Sequence, residues 1–117
     1  MKQTQSLKKN SDFREIYRTG KSFANKYLVM YVKKNGLAEN RLGISVSKKV
    51  GNSVVRHRIT RLIRESYRLS EEKIKNGLDI IVIARVGAKG RSCSEIESAL
   101  MHLVMLHKIE QRIEVSD

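Results

Sequence analysis

Apolar positions along the chain change period several times, and each change marks an element. Phe13, Ile16 and Tyr17 recur at helical spacing behind Asn10 or Ser11, either of which can cap a short helix, and Thr19-Gly20 ends it. From Phe23 to Val32 the pattern alternates, with Tyr27, Val29 and Tyr31 on one parity and Leu28, Met30 and Val32 on the other, which predicts a strand with two useful faces. Lys33-Lys34-Asn35-Gly36 then reads as a turn. In the next strand Leu42, Ile44 and Val46 alternate with Gly43, Ser45 and Ser47, so the two strands are expected to pair antiparallel.

A basic loop, Lys48 to Ser53, leads into the strongest helical pattern, from about residue 53 to 69, where Val55, Ile59, Leu62 and Ile63 share a core-facing side. Leu78 to Val86 is almost continuously apolar, as in a central strand buried on both faces. After a Gly87 to Arg91 loop, a last helix from Ser92 presents Ile96, Leu100, Leu103 and Val104. The order α-β-β-α-β-α predicts an α/β chain of the α+β two-layer sandwich type, a mixed sheet with helices packed on it. Residues 1–10 are polar and basic and read as a flexible arm, 11–113 as one domain, and 114–117 as a tail.

Composition sharpens this picture mainly through charge. Twenty-four Lys and Arg against 12 Asp and Glu leave a formal charge of +12 on 117 residues, a potential that attracts polyanions. No apolar run approaches the roughly 20 residues that span a bilayer, and the N-terminus lacks a signal-like apolar segment. Cys93, the single cysteine, cannot form an internal disulfide, so neither a membrane nor a disulfide-linked partner is expected, and a cytoplasmic location is.

Between Lys48 and Arg68 seven cations face Glu65 alone. Lys48, Lys49, Arg56, Arg58, Arg61, Arg64 and Arg68, joined by His57, are the candidate nucleic-acid-binding residues, with 57, 61, 64 and 68 in one stripe. Unpaired cations repel one another, a cost that phosphates relieve, and the arginine fork suits phosphate oxygens. A solvated helix face and a helix lying on an anionic membrane are the competing readings; the second wants bulky apolar residues free for insertion. Phe13, Tyr17, Tyr27 and Tyr31 are the candidate platform for unpaired bases, against the simpler possibility that they fill the core. No catalytic residues emerge: His57, His102 and His107 are scattered, Ser45, Ser47 and Cys93 lack an evident base, and no phosphate-binding glycine loop or metal-ligand cluster is recognisable.

The run Leu42-Gly43-Ile44-Ser45-Val46-Ser47-Lys48-Lys49-Val50-Gly51-Asn52-Ser53-Val54-Val55-Arg56-His57-Arg58-Ile59-Thr60-Arg61-Leu62-Ile63-Arg64-Glu65 resembles the signature of the bacterial ribonuclease P protein component. Ser11 to Tyr17 and Lys21 to Asn25 are similar to the same family, and the resemblance covers Lys8 to His107. His57 and Thr60 stand where the family pattern usually has Asn and Lys; the arginines at 56, 58, 61 and 64 are in place. The resemblance implies a non-catalytic subunit that binds a large catalytic RNA, in a holoenzyme that removes the 5′ leader of precursor tRNA by magnesium-dependent hydrolysis. Magnesium would act through the RNA, with no protein site assigned. It also implies that Lys49, Arg56, Arg58, Arg61 and Arg64 face the RNA, and that Phe13, Tyr17 and Tyr31 line a cleft for the leader. A small basic ribosomal protein with a structural role is the alternative.

Overall fold

The computed structural model describes residues 4–111. Five strands form one mixed sheet: β1 (Thr4–Ser6), β2 (Lys21–Ala24), β3 (Leu28–Lys34), β4 (Asn40–Ser45) and β5 (Leu78–Ala84), in the spatial order β1-β4-β5-β3-β2. Three helices accompany it: α1 (Asn10–Thr19), α2 (Ser53–Ser70) and α3 (Cys93–Leu106). The α-β-β-α-β-α order survives, with two strands added to it.

The expected hairpin between the second and third apolar stretches does not form. The turn near Gly36 is present, with φ at 71°, yet β4 pairs parallel with β5 and β3 pairs antiparallel with β5. The reason lies in β5: Ile80, Ile81 and Val82 are all fully buried, so this strand takes the centre and separates its two neighbours. The single strand expected from Phe23 to Val32 is broken into β2 and β3. Asn25 Oδ1 accepts from the Tyr27 and Leu28 amides at 3.1 and 3.0 Å, an Asx turn that reverses the chain.

Part of the expected flexible arm is also ordered. Thr4–Ser6 pairs parallel with β4, Leu7 is buried, and the Leu7 amide donates to the Leu42 carbonyl at 2.9 Å. α1 starts at Asn10, so Lys9 occupies the cap position without a side-chain cap bond. The tail at 114–117, with 112 and 113, lies outside the described residues.

Helices cover the two sheet faces unequally. α2 contributes Ile59, Ile63 and Tyr67, and α3 contributes Ile96, Leu100, Leu103 and Val104, to a core with Leu28, Met30, Ile80 and Val82. On the opposite face, α1 seals only a small cluster of Leu7, Ile16 and Ile81. Asn52 caps α2 by accepting from the Val55 amide at 3.0 Å, and Ser92 with Glu95 forms a capping box at α3. Val55 and Leu62, expected in the core, are only half buried.

A buried polar node ties α2 to three strands. The Tyr67 hydroxyl shares a hydrogen bond with Thr4 Oγ1 at 2.8 Å and accepts from Asn40 Nδ2 at 3.3 Å. Asn40 Nδ2 also donates to the Lys75 carbonyl, and its Oδ1 accepts from the Leu78 amide, both at 2.9 Å. Burial pushes the Tyr67 phenol above the usual tyrosine range, against its two hydrogen bonds.

Asn40→Ala should cost about 2–3 kcal/mol in urea unfolding, because it orphans buried groups, and Tyr67→Phe about 1 kcal/mol. The folded chain holds the Tyr67 proton to higher pH than the unfolded chain, whose tyrosine ionises near 10.0. Stability from this group is therefore complete below that pH and declines as the pH rises past it. The decline should be shallower in Tyr67→Phe.

Candidate nucleic-acid interface

Two surfaces of different chemistry lie on opposite faces of the sheet. On the outer side of α2, His57, Arg58, Arg61, Arg64 and Arg68 are all exposed, and Arg56 is half buried. Among the described residues no carboxylate pairs with Arg56, Arg58, Arg61 or Arg64; Arg68 alone is engaged, by Glu65 at 2.6 Å. The stripe of 57, 61, 64 and 68 is thus continuous in space, with its last member already partnered by a carboxylate one turn away. Arg68 holds Glu65 below the usual carboxylate range.

Between these cations the helix shows apolar surface. Val54 is 75% exposed and Leu62 is half buried, and with His57, Arg58 and Arg61 they line a groove of about 650 Å³. Leu62 therefore belongs to this outer groove, beside Arg58, Arg61 and Glu65. Lys48 and Lys49 are exposed on the loop between β4 and α2, which joins one surface to the other.

The second surface is the cleft between α1 and the sheet. Register fixes its floor: Gly43, Ile81 and Tyr31 form one row across β4, β5 and β3, and Ser45, Ile83 and Val29 form the next. α1 lies over the first row and leaves the second less covered, with Val29, Ser45 and Ile83 all half exposed. Tyr17 and Tyr31 meet edge to face with ring centres 5.0 Å apart, and Phe13 lies 6.3 Å from Tyr17. Tyr17 is 38% exposed, and its phenol is raised above the tyrosine range mainly by burial, opposed by a hydrogen bond with Ser45.

Tyr27 does not belong to this cluster. It sits in the turn before β3 and packs against the larger core near α3. The turn shifts the strand's start to Leu28, so the parity that linked Tyr27 to Tyr31 is lost.

Two features the sequence reading missed hold α1 in place. Asp79, buried in β5, receives two hydrogen bonds from Arg41, Nε at 2.7 Å and Nη2 at 2.6 Å, and Arg41 also reaches Asp12 on α1 at 3.4 Å. Lys33 reaches Glu15 at 3.2 Å, and Arg18 with Lys33 holds that carboxyl below its usual range. The detectable signal was Asp79 itself, one carboxylate inside an apolar run. The other feature is Gly43: a Cβ there would stand 2.6 Å from the Phe13 ring, so the missing side chain lets the ring lie directly on β4.

Gly43→Ala should destabilise the fold by about 1–3 kcal/mol in urea unfolding through overpacking. Combining it with Phe13→Leu should recover part of that loss, a coupling measurable in a double-mutant cycle.

Comparison with known proteins agrees with this arrangement. The family model described as Ribonuclease P matches residues 1–109. The chain is 68% identical over 106 residues to the ribonuclease P protein component of Lachnoclostridium phytofermentans, covering 91% of each. It is 54% identical to that of Alkaliphilus metalliredigens, covering 93% of this chain and 98% of the relative. Among solved structures, the RNase P protein of Staphylococcus aureus superposes with a TM-score of 0.82 at 43% identity, over 91% of this chain and 97% of that one. The Thermotoga maritima RNase P protein gives 0.78 at 33%, over 86% and 94%. The signature run, the mixed sheet and these likenesses over nearly the whole chain lead to one conclusion: this chain belongs to the ribonuclease P protein component family.

Proposed function

We propose that the chain is the RNA-binding, non-catalytic subunit of a cytoplasmic ribonuclease P, holding the RNA subunit on α2 and the single-stranded leader of precursor tRNA in the cleft under α1. The observation that carries this reading is the set of arginines at 56, 58, 61 and 64, on a stable helix, with no carboxylate partner among the described residues. Folding alone does not reward such a cluster, whereas phosphates do, and the groove beside Leu62 offers apolar surface to a base or ribose next to them. Lys48 and Lys49, on the connecting loop, extend the same field toward the cleft.

The cleft suits unpaired nucleotides because Phe13, Tyr17 and Tyr31 offer ring edges and faces beside a floor of Val29, Ser45 and Ile83. Substrate would gain affinity from both surfaces while the RNA subunit performs hydrolysis. Magnesium belongs to the RNA's phosphates in this reading. Among the described residues no three His, Cys, Asp or Glu side chains group to hold a metal ion, and Asp12, Glu15 and Asp79, which line one small pocket, are matched by Arg41 and Lys33.

Adding the chain to its cognate RNA should restore precursor-tRNA cleavage at low magnesium, which a structural ribosomal protein would not do. Binding to that RNA should weaken with salt at a log-log slope of about −3.5 to −4.5 for five engaged cations, and a slope near zero would remove the phosphate argument. Tyr31→Ala should weaken leader-bearing substrate by about 1–3 kcal/mol and leave mature tRNA unchanged in equilibrium binding.

A further inference from the structure

Tyr27, excluded from the aromatic cluster, lines a separate groove against α3. Beyond the last paired residues of β3 and β5, Leu28 and Ala84, the Arg85 amide still donates to the Tyr27 carbonyl at 2.9 Å. Arg85 follows the cleft-floor residue Ile83 by two positions, just past the end of β5, and is exposed. Its Nη1 donates to the Asn25 carbonyl at 2.7 Å. Asn25 continues the connection to α3, where its Nδ2 donates to the Ala99 carbonyl at 2.9 Å and meets His102 Nδ1 at 3.2 Å.

The turn at Asn25–Tyr27 and the outer side of α3 enclose a groove of about 690 Å³, lined by Lys26, Tyr27, Ser94, Ser98 and His102 among others. Ser94, Ser98 and His102 follow one another at intervals of four along α3, a row of hydrogen-bonding groups on one side of the groove. The Tyr27 ring gathers two cations: Lys26, which lines the groove, has its Nζ 5.1 Å from the ring centre, and Arg91, beside the groove, has its guanidinium carbon at 5.2 Å. The ring holds them by its negative face and takes none of their N–H donors, while Arg91 Nε donates to the Gly87 carbonyl at 3.3 Å. Glu95 also lines the groove, but it caps Ser92 and pairs with Arg91 at 3.4 Å. Gly87 fixes the wall: a Cβ there would come within 2.6 Å of the Lys26 carbonyl, so the two backbones pack directly.

We propose that this groove is a second single-stranded RNA site, continuous with the cleft. Lys26 and Arg91 take phosphates, while Ser94, Ser98 and His102 hydrogen-bond to the adjoining sugar and phosphate oxygens. The inference rests on the cleft being the leader channel and extends it. A leader long enough to leave the cleft's open end passes Arg85 and enters the groove, whereas a short one ends before it.

The test uses reconstituted holoenzyme and precursor tRNAs whose leaders lengthen stepwise, with Lys26→Gln/Arg91→Gln and Tyr31→Ala measured in parallel. The groove variant should bind mature tRNA and short-leader substrate like the unmodified protein, then lose about fivefold or more once the leader passes a threshold length. For long leaders its salt dependence should become shallower by about 1.4 in log-log slope, for two lost cations on a single strand. Unchanged affinity at every length overturns the proposal, and so does an equal loss at every length, which would assign these cations to the RNA subunit or the tRNA body. If Tyr31→Ala shows a leader-dependent loss and the groove variant does not, the groove fails and the cleft stands. If Tyr31→Ala shows none, the cleft reading fails and takes the groove with it. His102→Ala, on the exposed side of α3, should reproduce the length threshold should the double variant prove misfolded by circular dichroism.

Discussion

A strand that is apolar on both sides must be covered on both sides, and β5 imposes that condition on the whole chain. Its central place forces β3 and β4 apart, makes β4-α2-β5 a parallel crossover, and requires helices on each face. α2 and α3 together can bury the large face. α1, only ten residues long, buries part of the other and leaves a cleft beside itself. The cleft under α1 is thus a consequence of incomplete coverage, with the exposed remainder of the β3-β5-β4 floor as its base.

Asp79 is the exception within β5, and it shows how the fold converts a cost into positioning. A buried carboxylate demands a partner, and Arg41 on the neighbouring strand supplies a two-pronged one. The same guanidinium then reaches Asp12, so the charge needed to satisfy the sheet also orients the helix that carries Phe13 and Tyr17. Four of the chain's 12 carboxylates, Asp12, Glu15, Asp79 and Glu95, each face a cation outside α2. What remains on α2 is positive charge with Glu65 as its one acidic neighbour along the helix. Burial of Ile59, Ile63 and Tyr67 holds that helix together despite the repulsion on its outer side.

The two surfaces also share an end. β4 leads directly from Ser45 at the open side of the cleft into the Lys48-Lys49 loop and α2, while β5, parallel to it, ends at Ala84 at the same end of the sheet and is followed by Arg85. A nucleic acid leaving the cleft there meets positive charge whichever way it turns. On the proposed function, this arrangement lets a single small domain meet one extended polyanion at several places, which is the use that family membership and the charge pattern both favour.

Periodicity was enough to find α2, α3 and β5, because each buries a long apolar pattern, and Ile96, Leu100, Leu103 and Val104 are all fully buried as their spacing requires. The arginines of α2 were equally legible, since a stripe opposite a buried face can only point outward. Other features depended on contacts between residues distant in sequence. Strand order followed from competition for the centre of the sheet, which no local pattern records. The ordering of Thr4–Ser6 needed Tyr67 and Asn40, the break at Asn25 needed its side chain to cap a turn, and Tyr27 parted from Tyr31 because of that break. Which faces are apolar, where the cations lie and to which family the chain belongs can be read along the chain; which aromatics meet and which charges cancel became fixed on folding, because those outcomes depend on distances that chain order does not specify.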